Sequence, residues 1–139
     1  MTAKTAYRLV LTLALVGLAD AFYLTVKHYL GGPVPCSLAE GCDTVLSSPY
    51  AVFGGLPVAL WGVLYYLVVI FLSLLNFSGS RGFASAGLFG LVSAALAASG
   101  ILVYLQAQVL NAWCAYCLVS AGVTFLIFLF LLFSRPVAR

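Results

Sequence analysis

The sequence predicts an all-α integral membrane protein: a four-transmembrane-helix bundle with a large extracytoplasmic loop between helices 1 and 2. Three observations carry that prediction. Hydrophobic residues make up 65% of the 139-residue chain and charged residues 6%, with a mean hydropathy of +1.19, whereas soluble domains carry about a quarter charged residues. The apolar residues gather into four runs, each about long enough as a helix to cross a hydrocarbon core of ~30 Å. The basic residues stand outside those runs or at their edges. The length suits one membrane domain, residues 1–139. The net charge of +3 is scattered rather than gathered on one face, so nucleic acid is excluded as a partner and membrane lipid is the expected surrounding.

The first span is read at residues 7–27. A cleaved signal peptide is the rival reading, because Lys4 and Arg8 form a basic start and Ala19-Asp20-Ala21 resembles a cleavage site. The apolar pattern nevertheless continues through Phe22 and Val26, and a signal core is only ~7–15 residues long. Residues 28–55 form the extracytoplasmic loop, broken by Gly31, Gly32, Pro33 and Pro35 and punctuated by Pro49, Gly54 and Gly55. Inside it, residues 43–46 are read as the start of a short interfacial helix with Asp43 near its N-terminus. A loop this long usually serves as a lid or binding segment.

The second span is read at 56–75, with Pro57 near the first turn, where a missing N–H costs little. Residues 76–82 form a turn carrying Arg81. The third span, 83–105, contains Gly87, Gly90, Ala94, Ala97, Ala98 and Gly100; small residues let helices approach closely in lipid, so a central or tightly packed position is expected. A short loop at 106–112 leads to the fourth span, 113–133. Four spans place both termini on one side, together with Lys4, Arg8, Arg81, Arg135 and Arg139. The positive-inside rule makes that side cytoplasmic. The expected location is therefore the cytoplasmic (inner) membrane, multi-pass, with the cysteines on the extracytoplasmic face near Lys27 and His28.

Four cysteines form two pairs, Cys36 with Cys42 in the long loop and Cys114 with Cys117 at the mouth of the last span. On an oxidising face such residues tend to form disulfides, and four cysteines allow three pairings among which the sequence does not choose. Structural bridging is the plain reading. A C-x-x-C pair is a poor staple, however, because it closes a tiny loop. Helical positions three apart hold their Cβ atoms ~5–6 Å apart, beyond the ~3.5–4.5 Å of a relaxed disulfide, so the bond would be labile, as redox work requires. Cys114 near a helix N-terminus favours a thiolate, and Cys117 lies ~4.5 Å deeper along the axis, able to face apolar surroundings. That geometry suits a relay between a water-soluble thiol and a membrane-soluble electron carrier. A metal centre has less behind it: the five residues between Cys36 and Cys42 do not match the usual zinc spacing. A c-type haem is excluded by Leu118, which follows Cys117 where a histidine would stand.

In this combination the chain resembles the vitamin K epoxide reductase family, specifically its bacterial members. The residues that carry the likeness are the loop cysteines, Ser47-Ser48 after them, Gly55-Leu56-Pro57 opening span two, and the C-x-x-C opening span four. The DsbB family is also four-span and quinone-linked, but it places its C-x-x-C in the first outer loop, the reverse order. The resemblance implies a membrane thiol oxidase. Its Cys36 would exchange with a reduced extracytoplasmic thioredoxin-like oxidoreductase, Cys42 would pass electrons to Cys114, and Cys117 would face a quinone, ubiquinone or menaquinone, with no metal. It also implies that Ser48 lies near the quinone, and Trp61 corresponds to a family aromatic. Two positions depart from the animal enzymes: Ala121 stands where they have a tyrosine, and Tyr50 where they have an asparagine. Those groups are associated with the vitamin K head group, so a plain quinone rather than the epoxide is the expected acceptor.

Asp20, inside span one, is costly in lipid and therefore a functional candidate by default. It is read either as a structural acid bonded to a neighbouring helix or as a proton relay. Tyr65, Tyr66, Tyr104, Trp113 and Tyr116 fit aromatic belts or packing. A reading of a different class remains alongside: a non-enzymatic four-span subunit whose cysteines only brace its outer face, or a DsbB-like oxidase with a different pairing.

Overall fold

The computed structural model describes residues 3–31, 49, 52–77, 83–111 and 114–134. Four helices dominate it: α1 (Ala3–Leu30), α2 (Val58–Phe77), α3 (Phe83–Tyr104) and α4 (Ala115–Ser134). Each is long and apolar enough to cross a membrane. Their sequences are apolar on nearly every face, which a helix tolerates only when its outer surface meets lipid or protein rather than water. Phe22, Phe71, Ile101 and Phe133 accordingly lie exposed on the outside of the bundle. Cys36, Cys42 and Ser48, the short helix expected at 43–46, and the basic residues Arg81, Arg135 and Arg139 lie outside the described residues.

In the bundle, α1 packs on α2 and α4, while α3 closes the opposite side by packing on the same two helices. Helices α1 and α3 are therefore diagonal neighbours. The core is built from one stripe per helix: Val10, Ala14 and Ala21 of α1, Tyr66 and Val69 of α2, Leu88 and Val92 of α3, and Val123, Ile127 and Leu131 of α4. The spacings of three, four or seven residues keep each stripe on one helical face. At one end of the bundle the Tyr7 hydroxyl donates to Asn76 Oδ1 at 3.3 Å, and Asn76 Nδ2 donates to the Leu72 carbonyl at 2.8 Å. This contact joins the start of α1 to the end of α2.

The structure corrects the expected place of the third span. Among the four spans α3 is the least buried and α1 the most. Added Cβ atoms at Gly87, Gly90 and Gly100 would meet nothing within 4 Å. The close approach occurs instead at α1–α2, where a Cβ on Gly62 would come within 3.3 Å of the Ala21 side chain. Small residues permit close packing but do not say which helix uses it.

The entry to α2 holds a feature the sequence did not announce. Strands β1 (Val52–Phe53) and β2 (Leu56–Pro57) pair antiparallel, Val52 opposite Pro57 and Phe53 opposite Leu56. Gly54 and Gly55 make the two-residue turn with φ of 62° and 82°, the doubly left-handed turn that matches strand twist and favours glycine. Pro57 therefore ends the hairpin immediately before the helix.

Candidate functional site: a dithiol at the mouth of α4

The C-terminal ends of α1 and α3 and the N-terminal ends of α2 and α4 meet at the same end of the bundle, opposite the Tyr7–Asn76 contact. There Leu24 and Cys114 are buried together, packed by Tyr23, Ala59, Leu110, Ala115, Tyr116 and Cys117. Cys114 is the residue immediately before α4, and its carbonyl accepts the Leu118 N–H at 3.0 Å. It therefore stands at the N-cap, where a side-chain acceptor can take up N–H groups that the helix leaves unpaired. The Cys114 sulfur does this, accepting from the backbone of Tyr116 and Cys117 and also from the Cys117 thiol.

These bonds shape its acidity. The hydrogen bond from Cys117 comes first and favours the Cys114 thiolate; burial opposes it; the two backbone N–H groups add to the first effect, and the negative field of Asp20 opposes it weakly. The balance lowers the Cys114 pKa from 9.0 to about 7. Because the thiolate is the attacking species, thiol exchange at Cys114 should rise with pH, reach half its maximum near neutrality and level off a unit or more above. Replacing Cys117 with alanine removes the largest favourable contribution, so the plateau should move to higher pH. Rates of exchange with a small disulfide across a pH series check both statements; an unchanged profile in the variant would remove Cys117 as the cause.

Both cysteines are free thiols in the structure. Cys114 is 0% exposed, whereas Cys117 is part-buried. Tyr116 and Tyr23 cover this end, their ring centroids 5.4 Å apart, with Lys27 Nζ 5.9 Å above the Tyr23 ring.

Asp20 lies on α1 within electrostatic reach of both Cys114 and Cys117. Its Oδ2 is buried with no hydrogen-bond partner among the described residues. A bond from Asp20 to a neighbouring helix, the structural reading, is not made by that atom. Near it, the Tyr66 hydroxyl bridges from α2 to α4, bonding Ser120 Oγ at 2.8 Å and Thr124 Oγ1 at 3.4 Å, and donating to the Ser120 carbonyl at 3.1 Å. Ser120 and Thr124 follow Cys117 by three and seven residues, so they lie below it on the same face of α4.

Trp61 is placed differently. It is 43% exposed, its Nε1 donates to the Phe53 carbonyl at 3.0 Å, and its ring stands edge-on to Phe53 at 6.1 Å. Trp61 thus clamps the hairpin onto α2, and Ala59 is the α2 residue packed beside the cysteine cluster. One residue escaped sequence reasoning as a site residue. Gln106, expected in a loop, lies on a π-helical extension of α3, Leu105–Val109, and its Oε1 accepts the Cys114 N–H at 2.8 Å. The polar residues Gln106 and Gln108 so near a membrane span were the available signal, but polarity alone favoured a loop.

Fold and site together define a four-helix membrane protein with a paired thiol at the mouth of its last helix. The chain belongs to the vitamin K epoxide reductase family, whose sequence model matches residues 8–132. It is also 36% identical over 117 residues to the thiol-disulfide oxidoreductase LTO1 of Arabidopsis thaliana, an alignment covering 78% of this chain. The chain spans only 31% of that protein's length.

Proposed function

We propose that this protein is a membrane thiol oxidase that draws electrons from a reduced extracytoplasmic thioredoxin-like partner and delivers them to a quinone, supporting disulfide-bond formation. The observation that carries this reading is the Cys114–Cys117 pair, with the first sulfur held in an N-cap that stabilises its thiolate and the second a turn further in. Family membership and the likeness to a thiol-disulfide oxidoreductase support it. In this reading Cys36 and Cys42 form the intake. A partner thiolate attacks the Cys36–Cys42 disulfide, the partner's second thiol resolves the mixed disulfide, and the reduced pair then passes both electrons to a Cys114–Cys117 disulfide by the same exchange.

Re-oxidation converts the Cys114–Cys117 dithiol to a disulfide and releases two electrons and two protons, which balances reduction of one quinone to its hydroquinone. Two features support such an acceptor: Cys117 keeps some exposure, and Asp20 Oδ2, buried and without a partner among the described residues, can hold or pass a proton beside it. Ser48 and Trp61 remain proposed quinone contacts, Trp61 through its place beside the hairpin. The cytoplasmic placement of both termini is likewise proposed, from Lys4 and Arg8, which are exposed at the far end of α1.

Purified protein should oxidise a soluble dithiol protein with stoichiometric reduction of quinone. Cys36→Ala should mainly impair exchange with the protein partner, and a single loop cysteine should trap a mixed disulfide with it. Inert, fully paired cysteines under mild reductant would instead support a bracing role. For Asp20→Asn, turnover should fall with an altered pH profile; turnover retained across the whole pH range would eliminate an obligatory proton role.

A further inference from the structure

The π-helical turn at the end of α3 is the feature the proposed mechanism leaves unused. In that turn the Leu110 N–H donates to the Leu105 carbonyl at 2.8 Å, one residue further along than an α-helix would pair. Such widened turns recur at functional sites because they redirect a side chain without breaking the helix. Here Gln106 is turned inward at 2% exposure while Gln108, two residues on, is exposed. Asn111 then takes a positive φ of 50°, a conformation asparagine tolerates better than most residues. It turns the chain out of α3 toward α4.

We infer that Gln106 is a positioning residue for the dithiol: its side-chain carbonyl holds the Cys114 N–H, and thereby fixes the Cys114 sulfur in the α4 N-cap. The contact is buried and short, 2.8 Å. An N-cap residue has no intrahelical partner for its own N–H, and in a buried setting that donor would otherwise go unpaired. Fixing the N-cap backbone fixes the direction of its Cα–Cβ bond, and hence whether the sulfur can reach the Tyr116 and Cys117 N–H groups together. A neutral amide suits the task, because it accepts the N–H without placing a negative charge beside a thiolate. Gln106 touches no reacting sulfur in this arrangement and acts through Cys114.

This inference rests on the reading of Cys114–Cys117 as an exchanging pair, and one titration separates the two. The full-length protein is equilibrated with reduced and oxidised dithiothreitol, and the state of Cys114–Cys117 is read by mass-tag alkylation. In the wild type the pair should interconvert with the buffer. Gln106→Met keeps length and approximate volume but lacks a strong acceptor. With the thiolate less well held, the equilibrium should move about tenfold toward the disulfide, the scale of one lost hydrogen bond to a charged group. Gln106→Asn, polar but too short to reach, carries the same expectation should the methionine variant not fold. Gln108→Met, on the exposed side of the same turn, should titrate like the wild type.

Folded Gln106 variants that titrate with the wild-type midpoint would overturn the inference while leaving the functional reading in place. So would a shift of equal size in Gln108→Met. A wild-type pair that never forms a disulfide in any buffer would overturn both. Thermal denaturation of each variant accompanies the titration, because loss of a merely structural bond lowers the unfolding temperature without moving the midpoint.

Discussion

Cys117→Ala should abolish thiol-dependent quinone reduction, with turnover falling by about three orders of magnitude or more, as expected when one member of a group acting as a unit is removed. The reason is stoichiometric. A lone Cys114 thiolate can attack a disulfide and form one mixed disulfide, but no neighbouring thiol then resolves it, and two electrons cannot leave the site as a protein disulfide. The same variant should accumulate Cys114 in mixed disulfides, visible as a reductant-sensitive adduct. The experiment is a purified-protein assay with a soluble dithiol donor and several quinones, followed by the quinone absorbance change. Full quinone reduction by Cys117→Ala, driven by a small dithiol, would show that the outlet sulfur is misassigned. Loss of activity in Cys117→Ala together with normal partner exchange through Cys36 would place the defect at the membrane end of the path.

The outline of this molecule was legible in its sequence because the bilayer imposes the strongest constraints in the chain. A membrane span must be helical and apolar over a fixed length, so all four were visible as runs, with ends shifted by a few residues. The C-x-x-C opening the last span carried a second strong signal, since its position relative to the helix end follows from chain order alone. What stayed hidden depends on rotation about helix axes. Nothing in span one marks Gly17 as the residue that faces Tyr66 rather than lipid, because both faces of that helix are apolar. The third span's glycines gave the opposite error, suggesting close packing where the structure shows open space. Gln106 was hidden for a related reason: a π-turn is a local deviation in pairing, without a composition of its own. Trp61 was assigned from an aromatic correspondence, whereas its indole N–H is engaged by the hairpin, an element too short to read from the pattern of Gly54-Gly55 alone.

Gly17→Ala should be among the most destabilising single-atom additions in the protein, and its effect should reach the dithiol. A Cβ on Gly17 would overlap the ring and hydroxyl of Tyr66. That ring is fully buried and so has no solvent into which it can swing. Alanine improves helix propensity by about 1 kcal/mol over glycine, but overpacking a filled core costs about 1–3 kcal/mol. Moving Tyr66 would also break its bonds to Ser120 and Thr124. Interhelical hydrogen bonds in membrane proteins average ~0.6 kcal/mol each, so the net loss should be about 2–4 kcal/mol, against a gain in any exposed helix. Thermal denaturation in detergent measures it. Tyr66→Ala should destabilise through the cavity it leaves, yet the Gly17→Ala, Tyr66→Ala double variant should lose less than the two single changes summed, because the added methyl occupies part of the emptied space. Strict additivity would mean that Gly17 and Tyr66 do not meet. The same displacement should slow quinone reduction at temperatures where the variant remains folded, because Ser120 follows Cys117 by about one helical turn and the Tyr66 bridge ties α2 to α4 beneath the Cys117 sulfur.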